Sequence, residues 1–341
     1  MNTNRVIFLI LLILAAGAVY VYMNDTKSTI QEDLSDFAVT DTASISKIFL
    51  ANRAGQEIVL ERENQPDWMV NGQYEVRKDL LDVLLRTIKE VEVKAPIAKN
   101  AHNNMVRNMA SNAIKVEIYA NGSLEKVYYV GSSTKDNLGT NMLLEGSSVP
   151  YIVHLPGFHG YLTPRYSTDI YEWRNTEICA LRLDDIRSVE LKYPQQIENS
   201  FRVIRAGKDQ YELMAGGQLT PVPEFDPVEI RRYLLNFRKL HFESFEVRDN
   251  YDPDSIFAQP ILFNLSIETV DGQRITIDAW RLRATKDAVN MDGAPVKWDI
   301  DRMHARLNGV NELIFVQYFV FDRVLATPDN FKVDPLLRRD N

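Results

Sequence analysis

The chain's five histidines, its lone cysteine and one aspartate-rich loop are the residues whose spacing could support chemistry. His154 and His159 stand close in His-Leu-Pro-Gly-Phe-His. Pro156 and Gly157 make that segment a turn, so the two rings could converge. A zinc site wants at least three protein ligands, and no third stands near, so they read as ordinary loop histidines. Asp249, Asp252 and Asp254 in Asp-Asn-Tyr-Asp-Pro-Asp-Ser suggest an oxygen-rich calcium loop. The EF-hand pattern needs Gly at its sixth place and Glu at its twelfth; here those places hold Asp254 and Pro260. An Asp before Pro253 reads better as a turn. Cys179, with no second cysteine to pair with, alternates with polar neighbours as a small buried hydrophobe does. Phosphate-binding glycine loops, a GxSxG elbow, HExxH and CxxC are all absent from the sequence. The sequence therefore nominates no catalytic, cofactor-binding or metal-binding residue, and the expectation is a protein that is not an enzyme.

Two groups of apolar residues could still recognise something. Tyr128, Tyr129, Tyr161, Tyr166, Tyr171 and Trp173 crowd the middle of the chain. Such rings stack on sugars, anchor protein interfaces or simply pack a junction between domains. Met105 and Met109, four residues apart, share one face of a short helix and read as core, with a partner groove as the sharper alternative.

The elements that would position these residues occur twice, in the same order. Ile45–Leu50 and Glu57–Leu60 form a hairpin, followed by the short strand Trp68–Val70 and the amphipathic helix Asp79–Val91. Ile114, Val116 and Ile118 alternate with Lys115 and Glu117, then Asn121-Gly122 turns the chain into Val127–Val130, a strong hairpin signal. Asn141–Leu144 and Tyr151–Leu155 close the first copy. In the second, Ile186–Leu191, Phe201–Ile204 and Tyr211–Leu213 precede a helix opened by Asp226-Pro227 and lined by Ile230, Tyr233, Leu234, Phe237 and Leu240. Phe263–Ile267, Asp271-Gly272, Ile275–Ile277 and Leu313–Gln317 follow. The expected fold class is α+β, with antiparallel hairpins and one main helix in each of two related modules, 45–175 and 176–325.

The flanks complete the expected layout. Val6–Tyr22 is uncharged and apolar, roughly 26 Å long as a helix at about 1.5 Å per residue, which suits a transmembrane anchor over residues 1–23. Arg5 precedes it while Asp25, Lys27, Glu32 and Asp33 follow. That bias places the N-terminus in the cytoplasm and the rest in the periplasm, a single-pass protein of the inner membrane. A cleaved signal peptide, with Ala16-Gly17-Ala18 as the cleavage site, is the rival. Residues 24–44 read as a polar stalk and 326–341 as a flexible tail. The net charge of −8 argues against nucleic acid as a partner.

The apolar N-terminal run, Ile45–Leu60 with Trp68-Met69-Val70, the helix Asp79–Val91, and the passage from Tyr151–Leu155 through Tyr171–Asn175 to Ile186–Leu191 resemble the DUF4340 family of membrane-anchored bacterial proteins. Members are often encoded beside gliding-motility-type ABC transporter components. The resemblance implies a membrane or envelope protein as partner and an accessory role in an ABC-type transport or envelope machine. It carries no reactive residue to transfer. The alternative is an extracytoplasmic protein that binds glycan or peptide with aromatic residues at the module junction.

Overall fold

The computed structural model describes residues 35–62, 67–248 and 251–333. It divides into two compact units between Asn175 and Thr176. In the first, the strands are β1 (Ile45–Ala51), β2 (Glu57–Glu61), β3 (Met69–Val70) and β4 (Tyr74–Glu75). The helix α1 (Lys78–Glu90), β5 (Glu92–Pro96) and α2 (Lys99–Asn112) come next. Then follow β6 (Ile114–Ala120), β7 (Ser123–Ser133), β8 (Thr140–Leu144), β9 (Tyr151–His154) and the single turn α3 (Ile170–Trp173). These strands form one nine-stranded sheet in the order β4-β3-β2-β1-β6-β7-β8-β9-β5, antiparallel at every pairing.

The second unit begins with β10 (Glu177–Cys179), β11 (Ile186–Lys192), β12 (Phe201–Gly207), β13 (Gln210–Ala215) and β14 (Thr220–Pro221). It continues through α4 (Pro227–Leu234), β15 (Leu240–His241), β16 (Ser244–Phe245) and α5 (Pro253–Phe257). The last elements are β17 (Phe263–Thr269), β18 (Arg274–Arg283), β19 (Trp298–Leu307), β20 (Ile314–Gln317) and α6 (Tyr318–Phe321). Its nine-stranded sheet runs β14-β13-β12-β11-β17-β18-β19-β20-β16, the first order over again, and β10 pairs apart with β15. The likeness reaches single residues. The β1–β6 register slips between Ile45 and Lys47, and the β11–β17 register slips between Ile186 and Ser188, the same step of the same strand pair.

Side-chain alternation explains why each sheet has one packed and one open face. Ile45, Ile48 and Leu50 of β1 and Val116 and Ile118 of β6 are fully buried, while Lys47, Phe49, Glu117 and Tyr119 point the other way and keep some exposure. The helix α1 lays Leu81, Leu84, Thr87 and Ile88 into the first core. In the second unit the side chain of Asp226 accepts from Val228 N at 2.8 Å, Pro227 opens α4, and Ile230, Tyr233 and Leu234 go inward. Asn121 and Gly122 both take positive φ, 50° and 78°, as the tight turn between β6 and β7 requires.

Several expectations change here. The fold class is mostly antiparallel β, two large sheets, and not α+β. In each unit the principal helix serves a sheet of nine strands, because hairpin after hairpin extends the ladder sideways faster than helices cover it. The described helices are also short. The longest, α2, has 14 residues, carries Lys99 and Arg107, and spans roughly 21 Å at about 1.5 Å per residue, below the ~30 Å of a hydrocarbon core. Among the described residues no helix is long and apolar enough to cross a membrane. The run Val6–Tyr22 lies outside those residues. The transmembrane, single-pass and inner-membrane readings, with their periplasmic C-terminal domain, are therefore not carried further. Both flanks also enter the cores. Phe37 and Val39, in the segment read as stalk, are 1% and 7% exposed, and Phe331, in the segment read as tail, is 1% exposed. A few apolar residues in a polar stretch are enough to dock it.

Gly131 on β7 makes a testable packing point. A Cβ there would meet the Asn141 carbonyl oxygen at 2.9 Å and Met109 Cγ of α2 at 3.2 Å. Gly131→Ala should destabilise the protein by about 1–3 kcal/mol, the usual cost of overpacking. A chemical-denaturation midpoint equal to wild type would show that α2 yields freely.

Candidate functional site

The histidines of the His-Leu-Pro-Gly-Phe-His segment form no metal centre. His154 lies on β9 opposite Glu92, and His159 is exposed in the following loop. Among the described residues no group of three His, Cys, Asp or Glu side chains could hold a metal ion. Asp249 lies outside the described residues. Asp252 caps α5, its carboxylate accepting from Asp254 N at 3.1 Å with Pro253 at the first helical position, so the local sequence is a helix start. Cys179 is buried; its thiol reaches the Phe237 carbonyl at 3.5 Å, and burial pushes its pKa up to about 12, leaving no thiolate for chemistry near neutrality.

The mid-chain aromatics divide. Tyr128 and Tyr166 are fully buried in the first core, hydroxyls 3.2 Å apart and rings edge-to-face at 6.0 Å. Trp173 is buried as well, its indole N–H donating to Ser167 O at 2.8 Å. Tyr161 and Tyr171 each keep 40% exposure. Met109 is buried against Gly131, and Met105 is only half-buried.

The open sheet faces hold the more informative groups. On the first sheet, β1, β2 and β6 line a groove of about 660 Å³. Lys115 Nζ lies 2.6 Å from Glu117 Oε1, the Tyr119 hydroxyl donates to Glu117 Oε2 at 2.7 Å, and Lys47 Nζ sits 3.8 Å above the Tyr119 ring. Burial works against ionisation of Glu117, but the hydrogen bonds from Lys115 and Tyr119 outweigh it and hold the carboxyl below its usual range. Glu57 and Glu61, on β2 in the same groove, have no ion-pair partner among the described residues.

The matching face of the second sheet has different chemistry at matching positions. By strand register Lys47 corresponds to Ser188, Phe49 to Glu190, Val59 to Arg202, Glu117 to Ser266 and Tyr119 to Glu268. There both acids have basic partners: Lys192 pairs with Glu190 at 2.6 Å, and Arg202 and Arg187 each approach Glu268 at 3.6 Å, while Arg274 lines the same space with no ion-pair partner among the described residues. The space left is about 170 Å³. One scaffold thus carries a face whose acids have basic partners and a face with two acids that have none among the described residues.

A buried polar cluster lies farther along the second sheet. His304 of β19 is 1% exposed and places Nε2 at 3.2 Å from Glu246 Oε2. The Glu246 side chain is 2% exposed and also accepts from the Arg248 guanidinium and backbone N–H. The rings of Tyr251 and Phe315 each stand 5.1 Å from the imidazole. Burial lowers the His304 pKa against the pull of Glu246. For Glu246 burial acts upward, but the bonds from Arg248 and His304 win and the carboxyl stays low. His304 Nδ1 has no hydrogen-bond partner among the described residues.

Sequence reasoning missed both groups, although a signal existed. Glu57, Glu61, Glu117 and Tyr119 occupy the outward half of the strand alternation, which was read only for its inward half. His304 follows Arg302 and precedes Arg306 at every second place, so alternation marks it as outward; its burial comes from Tyr251, Phe315 and Arg248, which no local pattern reveals. Compared with protein-family models, curated proteins and solved structures, the chain has no match.

Proposed function

We propose that this protein is a non-catalytic interaction module that receives a positively charged segment of a protein partner on the open face of its first sheet. The observation that carries the reading is the groove over β1, β2 and β6. It offers two carboxylates, Glu57 and Glu61, that have no ion-pair partner among the described residues, beside the half-buried rings of Phe49 and Tyr119. Aromatic anchors with a charged rim suit a peptide bearing Lys or Arg, and such charges chiefly govern on-rate, specificity and salt dependence. The duplicated scaffold supports it further: the register that sets Glu61 opposite Lys47 sets Ile204 opposite Ser188 in the second unit, so an acid at that place is not a requirement of the fold. The DUF4340 resemblance fits an accessory of an ABC-type transport machine, which would supply such a partner.

A photo-crosslinking residue at Val59 tests the proposal in the cell that makes the protein. It should yield one discrete protein adduct whose partner presents a Lys- or Arg-rich segment. The double substitution Glu57→Lys, Glu61→Lys should weaken that partner's binding by about tenfold, as should added salt that shortens the ~8 Å physiological screening length. An adduct of equal strength from Val270, exposed on a turn of the second unit, would sink the idea. So would affinity unchanged by the double substitution.

A further inference from the structure

A cleft of about 320 Å³ opens in the second unit between Tyr193 and Trp298. Its volume sits at the low end of the roughly 300–1,000 Å³ typical of ligand clefts. Leu262 and Pro260 give it an apolar surface. The Tyr193 hydroxyl donates to Ala326 O at 3.0 Å, which fixes that ring in place. Trp298 is half-buried, with the Arg281 guanidinium 5.9 Å and the Lys297 ammonium 5.0 Å from its ring. Neither cation has an acidic partner among the described residues. The acid beside Trp298, Asp299, is engaged by Arg302 at 3.4 Å. No carboxylate is among the described residues that line the cleft, in a chain whose net charge is −8. The rim is completed by Gln195, Gln196 and Gln259; Gln196 Oε1 accepts from Asn199 Nδ2 at 3.1 Å and Gln259 Nε2 donates to Ser255 O at 3.4 Å, which leaves the Gln196 amide N–H groups and the Gln259 amide oxygen for a ligand.

We propose that this cleft binds an acidic sugar, a hexuronate residue free or at the end of a short glycan. Each part of the site answers one part of such a ligand. Aromatic faces stack on the C–H face of a sugar ring. Glutamine amides both donate and accept, which matches hydroxyls that do the same. The Arg281 fork pairs with a carboxylate through two parallel hydrogen bonds, and the guanidinium brings no competing internal acid. A peptide C-terminus shares the carboxylate but lacks the ring of hydroxyls that the remaining donors and acceptors of these glutamines can engage.

The full chain can be titrated with methyl glucuronide, methyl glucoside and an N-acetylated tripeptide with a free carboxylate, following tryptophan fluorescence. Trp68, Trp173 and Trp280 are 8%, 2% and 1% exposed, so Trp298 dominates the response. The expected result is saturable binding of the glucuronide, with the glucoside about tenfold weaker for want of the charged hydrogen bond. Arg281→Gln should bring the glucuronide down to the glucoside level, and Arg281→Lys should restore part of the difference. Arg281 is exposed, so an unchanged circular dichroism spectrum would certify the variants as folded. No saturable change with the glucuronide would overturn the proposal, as would equal affinity for the two sugars or tighter binding of the tripeptide.

Discussion

Phe331→Ala should lower the unfolding free energy by about 3–5 kcal/mol, the cost of deleting a large buried aromatic that its surroundings cannot refill. The ring is 1% exposed and meets Phe201 edge-on at 5.0 Å and Tyr233 at 5.4 Å. Phe237 extends the same cluster through Tyr233 at 5.5 Å. The backbone is tied in too. Asp226 N donates to the Phe331 carbonyl at 2.8 Å, so the residue that caps α4 also holds the end of the described chain. Thr327 and Asn330 close the turn that delivers the ring, Asn330 Oδ1 accepting from Thr327 N at 2.7 Å. Losing the ring therefore opens a void between α4 and β12 and loosens the helix start together. Phe319→Ala is the matched control: that ring is 78% exposed, and its loss should change stability by less than about 0.5 kcal/mol. Urea unfolding of both variants decides the matter, and similar midpoints would mean that the end segment is a passenger.

The same residue shows where the sequence is readable and where it is not. Period-two alternation exposes the buried side of a strand directly, and Ile114, Val116 and Ile118 stand out because Lys115 and Glu117 interrupt them. Asn121-Gly122 is legible because few residues tolerate two consecutive left-handed conformations. Phe331 and Phe37 are illegible by the same logic. Each is a lone aromatic in a polar stretch, with no periodicity to announce it, and its burial depends on partners far away in the chain. The strand β5 is hidden for another reason. Its residues Glu92–Pro96 do alternate, but only between exposed and half-buried, at the sheet edge; the strand is five residues long, follows directly on a helix and ends in proline, which protects an edge. Fold class went astray at that level, since short, quiet strands such as β5, β14 and β16 are what turn hairpins into two nine-stranded sheets. The candidate groove lies between these extremes. Its outward residues were in plain view, but alternation says only that they face away from the core. That Glu57 and Glu61 share a groove with Tyr119 follows from β1 lying between β2 and β6, a long-range pairing.

Acid should destabilise the protein in two steps, and the first belongs to His304. Its pKa in the folded chain lies below the ordinary 6.5, burial being the chief cause. A base with a depressed folded pKa takes its proton first in the unfolded chain. The stability it permits is whole above pH 6.5 and drains away as pH falls from there through the folded value. Glu246 acts lower on the scale: its carboxyl is held below the ordinary 4.5, so its contribution fades as pH falls below that. The charged groups around the imidazole are Glu246, Arg248 and Arg302; Glu246 favours its protonation, and the two arginines oppose it. The first sheet supplies the decisive variant. The pairing that runs from Ala305–Ile314 to His304–Phe315 in the second sheet runs from Met142–Tyr151 to Asn141–Ile152 in the first, so Asn141 is the counterpart of His304, a buried polar residue with no titration in this range. Its amide donates to Ser132 O at 2.9 Å, showing that a neutral side chain satisfies the position. His304→Asn should therefore flatten the pH dependence of the urea midpoint between about pH 7 and 5 and leave the lower step intact. Glu246→Ala should do the reverse damage. It costs about 1–3 kcal/mol at neutral pH by leaving the buried imidazole and the Arg248 guanidinium without their acceptor, and it shrinks the lower step, which Glu117 and Asp79, carboxyls also held below their usual range, share. If His304→Asn kept the wild-type slope above pH 5, the proton lost on folding would belong to some other group, and the imidazole would be a packing residue that happens to touch an acid.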